Sequence, residues 1–288
     1  MIKAVGVLDH PKVPATGKVA AEIEKALGEW GVACYRANTW DTPSLQAIIP
    51  KIELIVVLGG DGSTLRAARV GAPHDVPVVS INMGRLGFLS EMQPSTWRDM
   101  LPRLLNGGGW MEERMMLRTI ATRNDEELGV HDALNDVVVS RGTLARVVRL
   151  ETSIGEHDAS GCCVTDPVYL TTYACDGLIA STPTGSTAYA LAAGGPILPP
   201  TLKNIVIVPI APHLSLDKPV VLSQGAIVEL IVHTDHQAIL TADGQNEIVL
   251  KDGDRVSIQA GPHIARMARI QPRAYFYRTL MDRLRRAE

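Results

Sequence analysis

The sequence predicts two architectures in one chain: an N-terminal doubly wound, Rossmann-like α/β domain and a C-terminal β-sandwich-like domain. Three observations carry that reading. Up to about residue 105, short apolar runs alternate with stretches of helical period, the pattern of a parallel sheet with helices on its faces. After Trp110 the chain changes to short β-rich runs separated by turn signals, with no long helix until residue 274, which is the pattern of a sandwich. Between the two, Gly107-Gly108-Gly109 punctuates the chain. The expected organisation is 1–109, then 110–272, then a tail helix at 273–288 that docks on the first domain through Tyr275, Leu280 and Leu284.

Taken in order, residues 2–8 read as a first strand, cut short by Asp9 and His10. Residues 16–29 place Val19, Ile23, Ala26 and Leu27 on one helical stripe. A second strand at 32–35 and a weak helix at 43–49 follow. The run 54–58 is unbroken, apolar and rich in β-branched residues, as in a strand buried on both faces. It stops at Gly59-Gly60-Asp61-Gly62, and Ser63 or Thr64 is the expected cap of a helix reaching about Val70. The strand at 76–81 runs into Asn82-Met83-Gly84-Arg85-Leu86-Gly87-Phe88-Leu89. Residues 95–105 form an amphipathic helix with Trp97, Leu101, Leu104 and Leu105 inward. The β-runs of the second half are 114–122, 133–139, 145–153, 167–173, 177–181, 204–210, 226–233, 236–242 and 254–259.

Composition narrows the function. With 288 residues, 46% of them hydrophobic, the chain can bury two modest cores. A net charge of −3 argues against a broad basic surface for nucleic acid. No apolar stretch is long enough to span a bilayer, and the opening strand does not read as a signal peptide. Cys34, Cys162, Cys163 and Cys175 form no C-x-x-C pair. They read as reduced thiols of a cytoplasmic protein.

The chemistry concentrates in a few stretches. Gly59-Gly60-Asp61-Gly62 makes a strand-to-helix turn. Such a turn offers free amides and the positive end of a helix dipole, which suits phosphate. An anionic Asp61 there works on a proton or a metal, or else merely stabilises a βα turn. Asn135-Asp136 opens a strand and, read alone, is turn chemistry. From Asp176 to Tyr189 a strand enters a turn dense in hydroxyls and amides, then opens a helix at 188–193 that is stopped by Gly194-Gly195-Pro196. A capped helix start accounts for Ser186 or Thr187, but not for so many small polar groups before an aromatic. Ala242-Asp243-Gly244-Gln245 reads as a tight turn, and His213 alone reads as structural. Neither a Walker A loop nor a Rossmann glycine fingerprint is present.

On these residues the chain resembles the NAD kinases. The Gly-Gly-Asp-Gly loop followed by Ser or Thr is shared with diacylglycerol-type lipid kinases and phosphofructokinases. The N-x-G-x-L-G-F-L stretch at 82–89 and the T-P-T-G-S-T-A-Y…G-G-P string at 182–196 are similar to NAD kinases in particular. The resemblance implies Mg²⁺-dependent transfer of the ATP γ-phosphoryl group to the adenosine 2′-hydroxyl of NAD. It implies Asp61 as general base and Gly59, Gly60, Gly62 and Ser63 as the phosphate-donor loop. It implies that Asp61, Gly62, Arg66, Phe88, Asn135, Asp136, Arg146, Asp176, Thr187, Ala188, Tyr189, Ala192, Ala211 and Gln245 meet NAD. Three positions depart from the family pattern: Asp136 stands for Glu, Ala192 for a frequent Ser, and Ala174 for a common basic residue. The turn holding Ala211 resembles one that approaches a neighbouring subunit, which implies a homotetramer or homodimer. The alternatives are a lipid kinase and a non-catalytic NAD or NADP sensor. Only two Phe and a polar 181–189 turn weigh against a greasy acyl pocket, and retention of Asp61 weighs against a sensor.

Overall fold

The computed structural model describes residues 1–84, 87–143, 146–158, 163–213 and 215–284, without the side chains of Cys163 and Asn246. Arg85 and Leu86 of the second glycine loop, Cys162, the first residue of the expected strand at 145–153, and the tail beyond Leu284 lie outside the described residues. The chain forms two compact units, residues 1–113 with 264–288, and residues 114–263. The first unit therefore takes the chain back well before the expected boundary at 272.

The first unit runs β1 (Ala4–Asp9), α1 (Pro14–Glu29), β2 (Ala33–Asn38), α2 (Thr42–Ile48), β3 (Leu54–Gly59), α3 (Asp61–Gly71), β4 (Val78–Asn82) and α4 (Trp97–Leu105). Its strands lie in the order β2-β1-β3-β4, all parallel. β3 is buried along its whole length, as its unbroken apolar run requires. Leu54, Val56 and Leu58 share a core with Ile23 and Leu27 of α1 and with Trp97, Leu101, Leu104 and Leu105 of α4. Each such side chain contributes about 1.5–3 kcal/mol on burial. Ile55 points to the other face, against the Gly71 position of α3. Helices thus cover both faces, and the loops after β1, β3 and β4 emerge at one carboxyl edge, where open α/β sheets bind ligands.

The second unit is antiparallel. It is built from the end of β5 (Trp110–Arg123), then β6 (Glu126–Ala133), β7 (Asp136–Arg141), β8 (Val148–His157), β9 (Cys163–Cys175), β10 (Gly177–Ser181), the short helix α5 (Tyr189–Ala192), β11 (Ile205–Ile210), β12 (Val220–Leu222), β13 (Ala226–His233), β14 (Ala238–Ala242), β15 (Gln245–Leu250) and the start of β16 (Arg255–Arg269). β12-β11-β10-β7-β14-β15 form one sheet, and β16-β13-β8-β9 belong to the other. Val137, Leu178 and Ile207 of the first meet Leu150, Leu230 and Val256 of the second in a single core, the arrangement of a sandwich. The outer face of the six-stranded sheet is also covered, because Val138, Ile179, Val206 and Val208 pack with Ala190 of α5.

Several elements differ from expectation, each for a local reason. The single run expected at 133–139 is two strands, β6 and β7, separated at Leu134-Asn135. β6 has a single buried residue, so it carries little apolar signal. β12 has only three residues, too few to show alternation. β16 continues through Gly261-Pro262 to Arg269, where Met267 pairs in parallel with Val78 of the first unit. The final helix, α6 (Tyr275–Leu284), lies on the first unit through Phe276, whose ring is 6.4 Å from that of Phe88. No helix among the described residues is long and apolar enough to cross a membrane. Cys34 and Cys175 are free thiols.

Candidate active site

Two sites are built independently, one in each unit. In the first unit, β3 ends at Gly59, whose φ of +154° lies in the region that favours glycine. The helix cap then falls three residues before Ser63, the nearer of the two expected caps. Gly60 is its N-cap, with no side-chain cap, and Asp61 is its first residue. Thr64 instead turns its hydroxyl back to the Gly60 carbonyl at 3.2 Å, and Ser63 is buried. The first amides of α3 lack intrahelical partners by geometry. Gly60 and Gly62 are exposed beside them, so the turn can receive a phosphate.

The Asp61 carboxylate does not float in that turn. Phe88 N–H donates to its Oδ2 at 2.8 Å and Leu89 N–H to its Oδ1 at 3.2 Å. The two glycine loops are therefore fastened to one another through Asp61. Arg66, one turn further along α3, stacks its guanidinium over Trp40 at 3.8 Å. Burial and Arg69 both make Arg66 hold its proton less tightly. Lys12 lies over the same ring at 4.7 Å. Trp40 follows β2 and has no motif around it, so the sequence offered no signal for it.

In the second unit a pocket of about 370 Å³ brings together Asn135, Asp136, Ala188 and Tyr189. It is also lined by Asp243, Thr241 and Ser140, which sequence reasoning did not single out as ligand contacts. Asp243 organises this pocket. Its carboxylate accepts from three consecutive amides, Leu134 at 3.0 Å, Asn135 at 2.7 Å and Asp136 at 3.3 Å. It adopts φ +52° at the tip of the β14–β15 hairpin, a conformation that Asp tolerates better than most residues. The visible signal was the Asp-Gly dipeptide.

Asp136 is buried. Burial first, and then the charge of Asp243, push its carboxyl up to about 7. Near neutrality it can therefore act as hydrogen-bond donor or acceptor. Tyr189 stands 48% exposed at the pocket rim, open for a ring to pack on.

The hydroxyl-rich turn is largely spent on its own architecture. Thr182 Oγ1 donates to the Leu134 carbonyl at 2.6 Å, and its backbone N–H to the Asn135 carbonyl at 2.8 Å. Ser186 Oγ donates to Pro183 O and accepts from Leu198 N–H. Thr187 Oγ1 donates to Thr184 O. These groups fix Asn135 and start α5, which shrinks to Tyr189–Ala192 after a 3-10 turn.

The remaining residues implied by resemblance lie outside this pocket's lining. Asp176 pairs with Arg141 at 3.0 Å, and its amide donates to Ile210 O beside the Ala211 turn. Ala211 itself takes φ +45°. Arg146 pairs with Asp235, both exposed. Ala192 is exposed on α5, and Gln245 opens β15 opposite Ala242. Among the described residues no group of three or more His, Cys, Asp or Glu could hold a metal ion.

Residues 12–109 match the family model described as ATP-NAD kinase N-terminal domain, and residues 113–270 the one described as ATP-NAD kinase C-terminal domain. The chain is 38% identical to an NAD kinase of Chloroflexus aggregans over 287 residues, covering all of both chains. It is 41% identical over 236 residues to an NAD kinase of Heliobacterium modesticaldum, covering 82% of this chain and 80% of the other. Among solved structures, an Archaeoglobus fulgidus NAD kinase in complex with ATP is 27% identical with a TM-score of 0.75, over 97% and 98% of the two chains. A yeast NADH kinase complexed with NADH shares the fold with a TM-score of 0.82 at 22% identity, over 98% of this chain and 87% of the other.

Proposed function

This chain belongs to the ATP-NAD kinase family, and on that premise we propose how its own residues serve the transfer of the ATP γ-phosphoryl group to the adenosine 2′-hydroxyl of NAD. The observation that carries the reading is a carboxylate, Asp61, held by two amides at the start of a glycine-flanked helix. Phosphoryl transfer asks mainly for positioning and charge neutralisation. Gly59, Gly60, Gly62 and the α3 amides receive donor phosphates. Mg²⁺, when bound to the donor, neutralises phosphate charge. Asp61 accepts the hydroxyl proton as attack proceeds, and its fixed orientation limits the geometries in which it can do so.

The dinucleotide occupies the pocket of the second unit. Tyr189 offers a face to a base or ribose, and Ala188 leaves space beside it. Asn135 and Asp136 offer an amide and a carboxyl of adjustable protonation to hydroxyl groups. Arg66, Phe88, Arg146, Asp176, Thr187, Ala192, Ala211 and Gln245 remain candidate contacts by resemblance.

The protein works as a homotetramer or homodimer in the cytoplasm. Support for assembly comes from β9, a sheet-edge strand that exposes Val164, Val168 and Tyr169 at 62%, 62% and 59%. Edges of that kind are normally covered. An assay for NADP formation from NAD, ATP and Mg²⁺, with Asp61→Asn as control, tests the reading.

A further inference from the structure

Arg283 reaches from α6 to the loop that fastens Asp61. Its Nη1 donates to the Phe88 carbonyl oxygen at 3.5 Å. The N–H end of that same peptide group belongs to Leu89, and it donates to Asp61 Oδ1 at 3.2 Å. One peptide unit thus stands between a guanidinium and a carboxylate, with both hydrogen bonds polarising it in the same sense. The preceding amide, Phe88 N–H, holds the other carboxylate oxygen at 2.8 Å.

The surroundings single out this arginine. Its guanidinium lies 5.6 Å from the centre of the Phe88 ring and 5.1 Å from that of Tyr275. Its Nε is buried and unpartnered among the described residues. Burial weakens its hold on its proton, and Arg269 adds to that, while Tyr275 and Asp61 act the other way. These three are the titratable or charged groups that bear on it, from β16, α6 and α3. A half-buried cation with a buried, unsatisfied nitrogen costs stability. Docking α6 alone would be served as well by an apolar side chain.

We propose that Arg283 is a positioning residue for Asp61, which, acting through the Phe88–Leu89 peptide group, keeps the carboxylate aimed at the acceptor hydroxyl. The final helix is then part of the catalytic support and not only a lid on the core. This rests on the reading of Asp61 as base.

The test is the enzyme with Arg283→Met, Arg283→Lys and Asp61→Asn, assayed for NADP formation from NAD and ATP. Arg283→Met should lower kcat by up to about 10²-fold, the scale of a misplaced catalytic group, with little change in the KM for NAD. Arg283→Lys should recover part of the kcat loss, since the charge remains without the planar fork. In the Asp61→Asn background, Arg283→Met should cost nothing further. Near-normal turnover of Asp61→Asn alone would sink the base reading and this proposal with it. An impaired Asp61→Asn, together with an unchanged kcat in Arg283→Met or equal losses in both backgrounds, would overturn only the role of Arg283. Should Arg283→Met fail to fold, the same comparison of Arg283→Lys in the two backgrounds decides.

Discussion

The carboxylate of Asp61 occupies the space that a side chain on residue 87 would need. A Cβ built on Gly87 overlaps Asp61 Oδ1, and the amides of the next two residues donate to that carboxylate. The glycine is there for close approach rather than for an unusual φ. Gly87→Ala should displace Asp61, lower kcat by up to about 10²-fold and cost about 1–3 kcal/mol from overpacking. Turnover and thermal melting of the variant check both. Unchanged turnover would mean that the contact has no part in catalysis.

Asp136 gives a pH dependence with a definite sign. Burial and the Asp243 charge push its folded carboxyl up to about 7, from an ordinary value of 3.8 in the unfolded chain. Between those values the folded state holds a proton that the unfolded chain has released. Stability from this group is therefore full at acid pH and is lost as pH rises through about 7. Asp136→Asn should flatten that fall and stabilise the protein most at the alkaline end. Melting temperatures of the two proteins from pH 5 to 8 measure the difference. A parallel pair of curves would refute the assignment.

The second-unit pocket makes a separate prediction. Tyr189→Ala should weaken NAD binding by about 1–3 kcal/mol, the worth of an aromatic contact to a base, and should leave the KM for ATP nearly unchanged. Asn135→Ala should cost a similar amount, about 1–3 kcal/mol, because a polar partner is left unpaired. Calorimetry with NAD reads both. Ordinary affinity in folded variants would take these residues out of the site.

Assembly is tested by light scattering. A homo-oligomer should appear at a multiple of the 31.0 kDa chain. Val168→Lys on the exposed part of β9 should shift it toward smaller species. A fully active species of single-chain mass would contradict the oligomer.

Much of this was legible in the chain. The unbroken 54–58 run read as a doubly buried strand because burial on both faces leaves no room for polar alternation, and β3 is buried throughout. The Asn135, Asp136, Ala188 and Tyr189 cluster was visible only through motif resemblance, since the pocket joins segments far apart in sequence. What stayed hidden was backbone chemistry. No side-chain pattern announces that Phe88 and Leu89 act through their amides. Asp243 looked like an ordinary hairpin residue because its three partners are main-chain groups. The hydroxyls of 181–187 suggested ligand contacts, yet Thr182 and Ser186 serve the fold. Arg283 sat in an amphipathic tail where a basic residue reads as surface.

The measurement that bears most directly on the account is turnover of Asp61→Asn. Asn is nearly isosteric, but it cannot take a proton, and its one amide oxygen can accept from only one of the two loop amides. kcat for NADP formation should fall by about 10²–10⁴, the usual worth of a positioned base. NAD affinity should change little, because the loss lies in the transition state. A folded Asp61→Asn enzyme with kcat within a few-fold of the parent would contradict the assignment of Asp61 as the base.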